Sequence, residues 1–189
     1  MSDSYGRILG GQILLIICCV IYTVWWCLSY RPGVTVNRIG GLRGALLLCT
    51  AAAGLTGTFL SIFGINSLPK GNSQISNGMI CITGIIAYIA LLILTRFCFD
   101  RPVTTELVLI TGWAVLELCV VNAASGAGLL TASRLAAMLA VITAAVLISL
   151  ILYVLYYRMD DWRAFYMAAV PLITEAASMA VINILIMLC

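Results

Sequence analysis

Six apolar runs, separated by short polar or aromatic-basic stretches, divide the chain. They fall at 8–28, 44–65, 78–94, 104–122, 132–157 and 164–188. Each is long enough to cross a hydrocarbon core about 30 Å thick as a helix of roughly 20 residues. The pattern predicts one all-α domain over 1–189, a polytopic membrane helical bundle of six transmembrane helices arranged as three hairpins. The first run is longer than the core of a signal peptide, and no small-x-small cleavage site follows it, so it is expected to stay in the mature protein.

The ends of the runs carry the marks of a membrane boundary. Tyr22, Trp25, Trp26 and Tyr30 gather before Arg31-Pro32-Gly33. Arg96, Phe97 and Phe99 precede Asp100-Arg101-Pro102, and Tyr153, Tyr156, Tyr157 and Arg158 precede Asp160, Asp161, Trp162 and Arg163. Aromatic rings belong at the headgroup level, with arginines reaching past them, and the prolines stop the helices. The longer polar stretch, 66–77, turns at Pro69-Lys70-Gly71.

Small residues mark two helix faces. Ala53, Gly57 and Ser61 in the second run, and Ala136, Ala140 and Ala144 in the fifth, recur every four residues and are expected to face other helices at close range.

Counting basic residues by side gives an orientation. Arg31, Arg38, Arg43, Arg96, Arg101, Arg158 and Arg163 lie at the hairpin turns, against Arg7, Lys70 and Arg134 on the opposite side. The positive-inside rule makes the turns cytoplasmic and both termini non-cytoplasmic, in a protein expected in the plasma membrane.

Composition sharpens the class. Of 189 residues, 63% are hydrophobic and 9% charged, against roughly 45–50% and about 25% in soluble domains. The mean hydropathy is +1.15. The net charge of +3 is spread between runs with no basic block, so nucleic acid is not an expected partner. Histidine is absent, which excludes His-ligated zinc, bis-histidine haem and His-dependent hydrolysis. Lys70 is the sole lysine and lies in a connector, so no Schiff base is expected within a helix. The eight cysteines show no metal-type spacing and read as small buried hydrophobes. No cofactor or metal is expected.

Candidate chemistry lies in the acids inside the runs. Glu175 sits near the middle of the sixth run, four residues after Pro171 and close to Thr174, Ser178 and Asn183. A charged carboxylate at that depth needs a proton, a partner, water or a cation. Pro171 gives no N–H to the carbonyl of Met167, so a helix kink is expected beside the acid. Glu117 in the fourth run is the natural second member. It is 11 residues from Glu106, which at 100° per residue returns both to nearly one face, with Trp113 between them. If the fourth and sixth helices touch, Glu117 and Glu175 could share a proton or a cation, with Thr111 among the neutral hydrogen-bond partners.

The expected function is a small membrane transport protein, linked to protons or cations or binding a small solute. Its cavity would be lined by Glu117, Thr174, Glu175, Ser178 and Asn183, and the lipid bilayer is its first partner. The alternative is a non-transporting membrane subunit of a larger complex, or a homo-oligomer, held through the small-residue faces. In size and helix count the chain resembles the substrate-binding membrane subunits of energy-coupling-factor vitamin transporters, with no shared motif. A lipid-modifying intramembrane enzyme would have to work through carboxylates alone.

Overall fold

The computed structural model describes residues 2–32, 40–69, 75–99 and 105–188. The sequence expectations for Gly33, Arg38, Lys70, Gly71, Asp100, Arg101, Pro102, Thr104 and Cys189 lie outside the described residues. The helices are α1 (Ser2–Tyr30), α2 (Gly40–Ser67), α3 (Asn77–Phe99), α4 (Thr105–Gly126), α5 (Ala132–Leu155), α6 (Asp161–Met167) and α7 (Ala169–Met187), with a single 3-10 turn, Tyr156–Arg158, after α5. Six segments are long and apolar enough to span a membrane: Ser4–Tyr30, Gly41–Ser67, Asn77–Cys98, Glu106–Gly126, Ala132–Leu155 and Asp161–Met187. Each described end is within about one helical turn of its sequence expectation. The protein is an all-α, six-span helical bundle.

Three hairpins build it. α1 packs along α2, α3 against α4, and α5 against α7, while α1–α7 and α4–α5 contacts join the hairpins side by side. α4 is the innermost helix: 44% of its apolar window is buried, against 6% for α3, which packs on α4 and otherwise presents isoleucines such as Ile82, Ile86 and Ile89 outward. An apolar helix surface exposed in this way is what lipid tails cover. The main core cluster joins Ile8, Ile65, Val120, Met138, Ile142, Ile182 and Ile186, so α1, α2, α4, α5 and α7 meet in one layer.

The α1–α2 contact shows why that hairpin is so close. A Cβ on Gly57 would lie 2.8 Å from the carbonyl oxygen of Gly11, and one on Gly64 would lie 2.8 Å from the backbone nitrogen of Ile8. Gly54, Gly57, Ser61 and Gly64 form the observed seam, with a 3-4-3 spacing in place of the every-fourth pattern through Ala53. A 3-4 alternation of small residues keeps one face of a helix toward its neighbour over several turns. At the other end of the pair, the Arg43 guanidinium donates to the carbonyl of Leu28, one of the last carbonyls of α1.

The second small-residue stripe corrects the sequence reading. Ala136, Ala140 and Ala144 are exposed, and α5 turns Met138, Ile142, Ala145, Ser149 and Tyr153 inward. Met138, Ile142 and Tyr153 fill the core on that face, with Ala145 and Ser149 between them. The cysteines depart from expectation too. Cys119 is buried and Cys18 and Cys19 are partly so, but Cys27, Cys49, Cys81 and Cys98 lie on the outer surface, and all seven described thiols are free. A thiol is apolar enough to face lipid as readily as protein.

α4 runs past Asn122 to Gly126 and ends in a Schellman motif. Leu129 N–H donates to the Ala124 carbonyl and Gly128 N–H to that of Ser125, with Gly128 at φ 74°. This tight reversal sets α5 beside α4. On the opposite side, exposed Asp160 and Arg163 form a 3.3 Å ion pair before the sixth span, the kind of surface pair that contributes about 0–1 kcal/mol.

Candidate functional site: two separate intramembrane carboxyls

The sixth span joins α6 to α7 through Ala168, which keeps a helical backbone (φ −65°, ψ −24°) and donates to the Ala164 carbonyl at 3.0 Å. Three residues later Pro171 withholds the N–H that the Met167 carbonyl would receive in an unbroken helix. One turn beyond, Glu175 is buried, with 6% of its surface exposed, about halfway along the Asp161–Met187 segment. Among the described residues its carboxyl accepts no hydrogen bond and meets no basic group.

That carboxyl lines a partly open cavity between α1, α4, α5 and the α6–α7 junction, with about 70 Å³ accessible to solvent-sized spheres. Met167, Ala168 and Pro171 form one wall. Tyr22 and Trp26 come from α1, Glu106 and Ile110 from α4, and Ser149, Tyr153 and Tyr156 from α5 and its 3-10 turn. These are residues near the last turns of α1, α5 and α6 and the first turns of α4 and α7, so the cavity occupies the half of the bundle nearer the hairpin turns. Trp26 is fixed by donating its indole N–H to the Phe165 carbonyl at 3.2 Å and by packing on Tyr30, ring centroids 4.4 Å apart. Ser149 is fully buried, and its hydroxyl has no partner among the described residues.

Glu117 belongs to a different environment. It is fully buried, and its Oε1 accepts a 2.8 Å hydrogen bond from Nε2 of Gln12 on α1, also fully buried. Among the described residues, Oε2 of Glu117 and Oε1 of Gln12 have no partner. No hydrogen bond or ion pair joins Glu117 to Glu175 among the described residues, and Glu117 does not line the cavity. α4 and α7 do touch, though more lightly than either touches its main neighbours. Glu106 and Glu117 share the inward face of α4, Glu106 at the cavity and Glu117 farther along the helix.

The remaining sequence candidates are dispersed. Thr174 donates to the Val170 carbonyl at 2.7 Å, and Ser178 donates to the carbonyls of Thr174 and Glu175, both at 2.9 Å. Thr111 likewise donates to Leu107. These hydroxyls are committed to their own helices, the usual resting place for Ser and Thr in a span. Asn183 is buried near the end of α7, and neither of its side-chain polar atoms has a partner among the described residues. Of the five proposed ligand-binding residues, Glu175 alone lines the cavity.

Gln12 is the functional-looking residue that sequence reading passed over. A lone amide amid the apolar residues of the first span was the available signal. Another polar contact ties α3 to α4: Asn122 donates to Asn77 Oδ1 at 2.7 Å and to the Ile75 carbonyl at 3.0 Å.

The fold and these carboxyls define a multi-pass membrane protein with acidic groups held inside the bundle. Comparisons with family models, with curated proteins and with solved structures find no match, so nothing stands behind the likeness in size and helix count to vitamin-transporter subunits.

Proposed function

We propose that the protein is a small membrane transport protein in which Glu175 is the proton- or cation-responsive group. The observation that carries this reading is a buried carboxyl, without a partner among the described residues, lining a cavity about halfway along its span. A side chain used only for packing would be satisfied by its neighbours, as Ser178 and Thr174 are. Pro171 supports it, because the proline leaves the Met167 carbonyl, at the wall of the cavity, short of its helical N–H donor, and transporters build sites on such irregular helices at membrane depth. The described arginines of the hairpin-turn end, Arg31, Arg43, Arg96, Arg158 and Arg163, outnumber Arg7 and Arg134 at the other. On the positive-inside rule the cavity half faces the cytoplasm of a cell membrane.

The test is proton flux in liposomes reconstituted with the full chain and loaded with a pH-sensitive dye, under imposed proton and monovalent-cation gradients. Glu175→Gln should lower the protein-dependent flux at least tenfold while leaving the size-exclusion profile unchanged. Equal flux in the variant and the parent would remove Glu175 from the pathway.

A second reading, a subunit held in a larger assembly or a homo-oligomer, is favoured by the outward alanine stripe on α5. It predicts that Ala140→Leu splits a discrete multimer in mild detergent, as read by light scattering; a protein that is monomeric before the substitution excludes the homo-oligomer.

A further inference from the structure

We propose that the Glu175 cavity is a binding site for a small organic cation of the quaternary-ammonium type. The inference deepens the transport reading by naming the class of ligand, and it rests on that reading for its place in a transport cycle.

Charge is the first reason. The cavity is lined by two acids, Glu106 and Glu175, and by no basic side chain. A second cleft adjoins it through shared Trp26 and Tyr156 and adds Asp161, again with no basic residue. Yet Arg31, Arg43, Arg96, Arg158 and Arg163 all lie at this end of the bundle. None of these arginines lines either cleft, and the Glu175 carboxyl offers the interior a counter-charge for a cation.

The rings supply the second reason. Tyr22, Trp26, Tyr153 and Tyr156 all line the cavity. Aromatic faces attract cations that shed water easily, and quaternary ammonium groups are recognised by such cages. A bare metal ion would want several oxygen ligands at short range. Among the described residues no group of three or more acidic or thiol side chains is arranged to hold a metal.

Two unspent polar groups complete the site. Glu175 is more than nine-tenths buried and takes no hydrogen bond, and the fully buried Ser149 hydroxyl is unpartnered. They give the ligand one counter-charge and one hydroxyl for a polar tail, while the rings enclose its methyl groups.

The experiment uses the full chain in detergent micelles. Choline and 3,3-dimethylbutan-1-ol, which has carbon in place of the charged nitrogen, are titrated at fixed ionic strength by calorimetry and by tryptophan fluorescence. Choline should bind saturably, and its uncharged counterpart should bind at least tenfold more weakly. Glu175→Gln should weaken choline at least tenfold. Tyr22→Leu should weaken it several-fold while Tyr22→Phe retains it, a comparison that stays informative if Glu175→Gln fails to fold. Equal binding of the neutral compound, or equal displacement of choline by sodium, overturns the proposal. Choline binding without protein-dependent flux supports the ligand class and removes the transport reading. Glu175-dependent proton flux without choline binding does the reverse.

Discussion

Gly11→Leu is expected to unseat the first hairpin. A Cβ at this position would meet the Ser61 hydroxyl and come within 2.7 Å of both the Gly57 carbonyl oxygen and the Ser61 nitrogen. Two of these three atoms are backbone and cannot rotate away, so α1 and α2 would have to separate along the seam that Gly54, Gly57, Ser61 and Gly64 create. Overpacking typically costs 1–3 kcal/mol and sometimes more. At about 3 kcal/mol, the melting temperature of a chain this size falls by roughly 6–12 °C. Gly10→Leu is the matched control, since a Cβ there meets nothing within 4 Å, and it should melt within about 2 °C of the parent. Thermal unfolding followed by circular dichroism in one detergent checks both, and equal losses would show that the contact at Gly11 is not what holds the pair.

Run length and boundary chemistry made the six spans legible, because a membrane imposes one length on every crossing and filters which residues stand at its edges. The shared inward face of Glu106 and Glu117 followed from helical periodicity alone. What sequence could not supply was the position of each helix in the bundle. α4, with two acids in its run, is the innermost helix, while the more apolar α3 lies at the periphery. In a lipid solvent, hydrophobicity no longer separates inside from outside, so polarity is the better guide to the interior. The same limit explains the alanine stripe of α5, whose spacing suits an internal or an external contact equally well. At the site, the expectation that Ser178 and Thr111 would serve the carboxyls met a stronger local competitor, the carbonyl three or four residues back. The partner that Glu117 does have is 105 residues away in sequence on another hairpin, a pairing no local pattern encodes.

Gln12→Leu should destabilise the protein more than removal of both partners does. Interhelical hydrogen bonds inside membranes contribute only about 0.6 kcal/mol on average, so loss of the bond itself is a small effect. The larger one is the carboxyl left behind: Glu117 is fully buried, Gln12 is its sole hydrogen-bond donor among the described residues, and its Oε2 is already unpartnered. An orphaned buried polar group costs about 1–3 kcal/mol, and more if charged. Gln12→Leu should therefore cost about 2–3 kcal/mol, while Gln12→Leu with Glu117→Leu, which removes donor and acceptor together, should cost under about 1 kcal/mol. Glu117→Gln refines the comparison. The new amide still accepts through its oxygen, and its nitrogen can donate to the Gln12 Oε1 that has no partner. A proton on Oε2 of Glu117 would make the same second bond, so the amide imitates the neutral acid. Stability and flux retained in Glu117→Gln, set against flux lost in Glu175→Gln, would make Glu117 a structural clasp between α1 and α4 and leave Glu175 as the working group. Loss of flux in both variants, with the fold retained, would make the Gln12–Glu117 pair a second station on the path through the bundle.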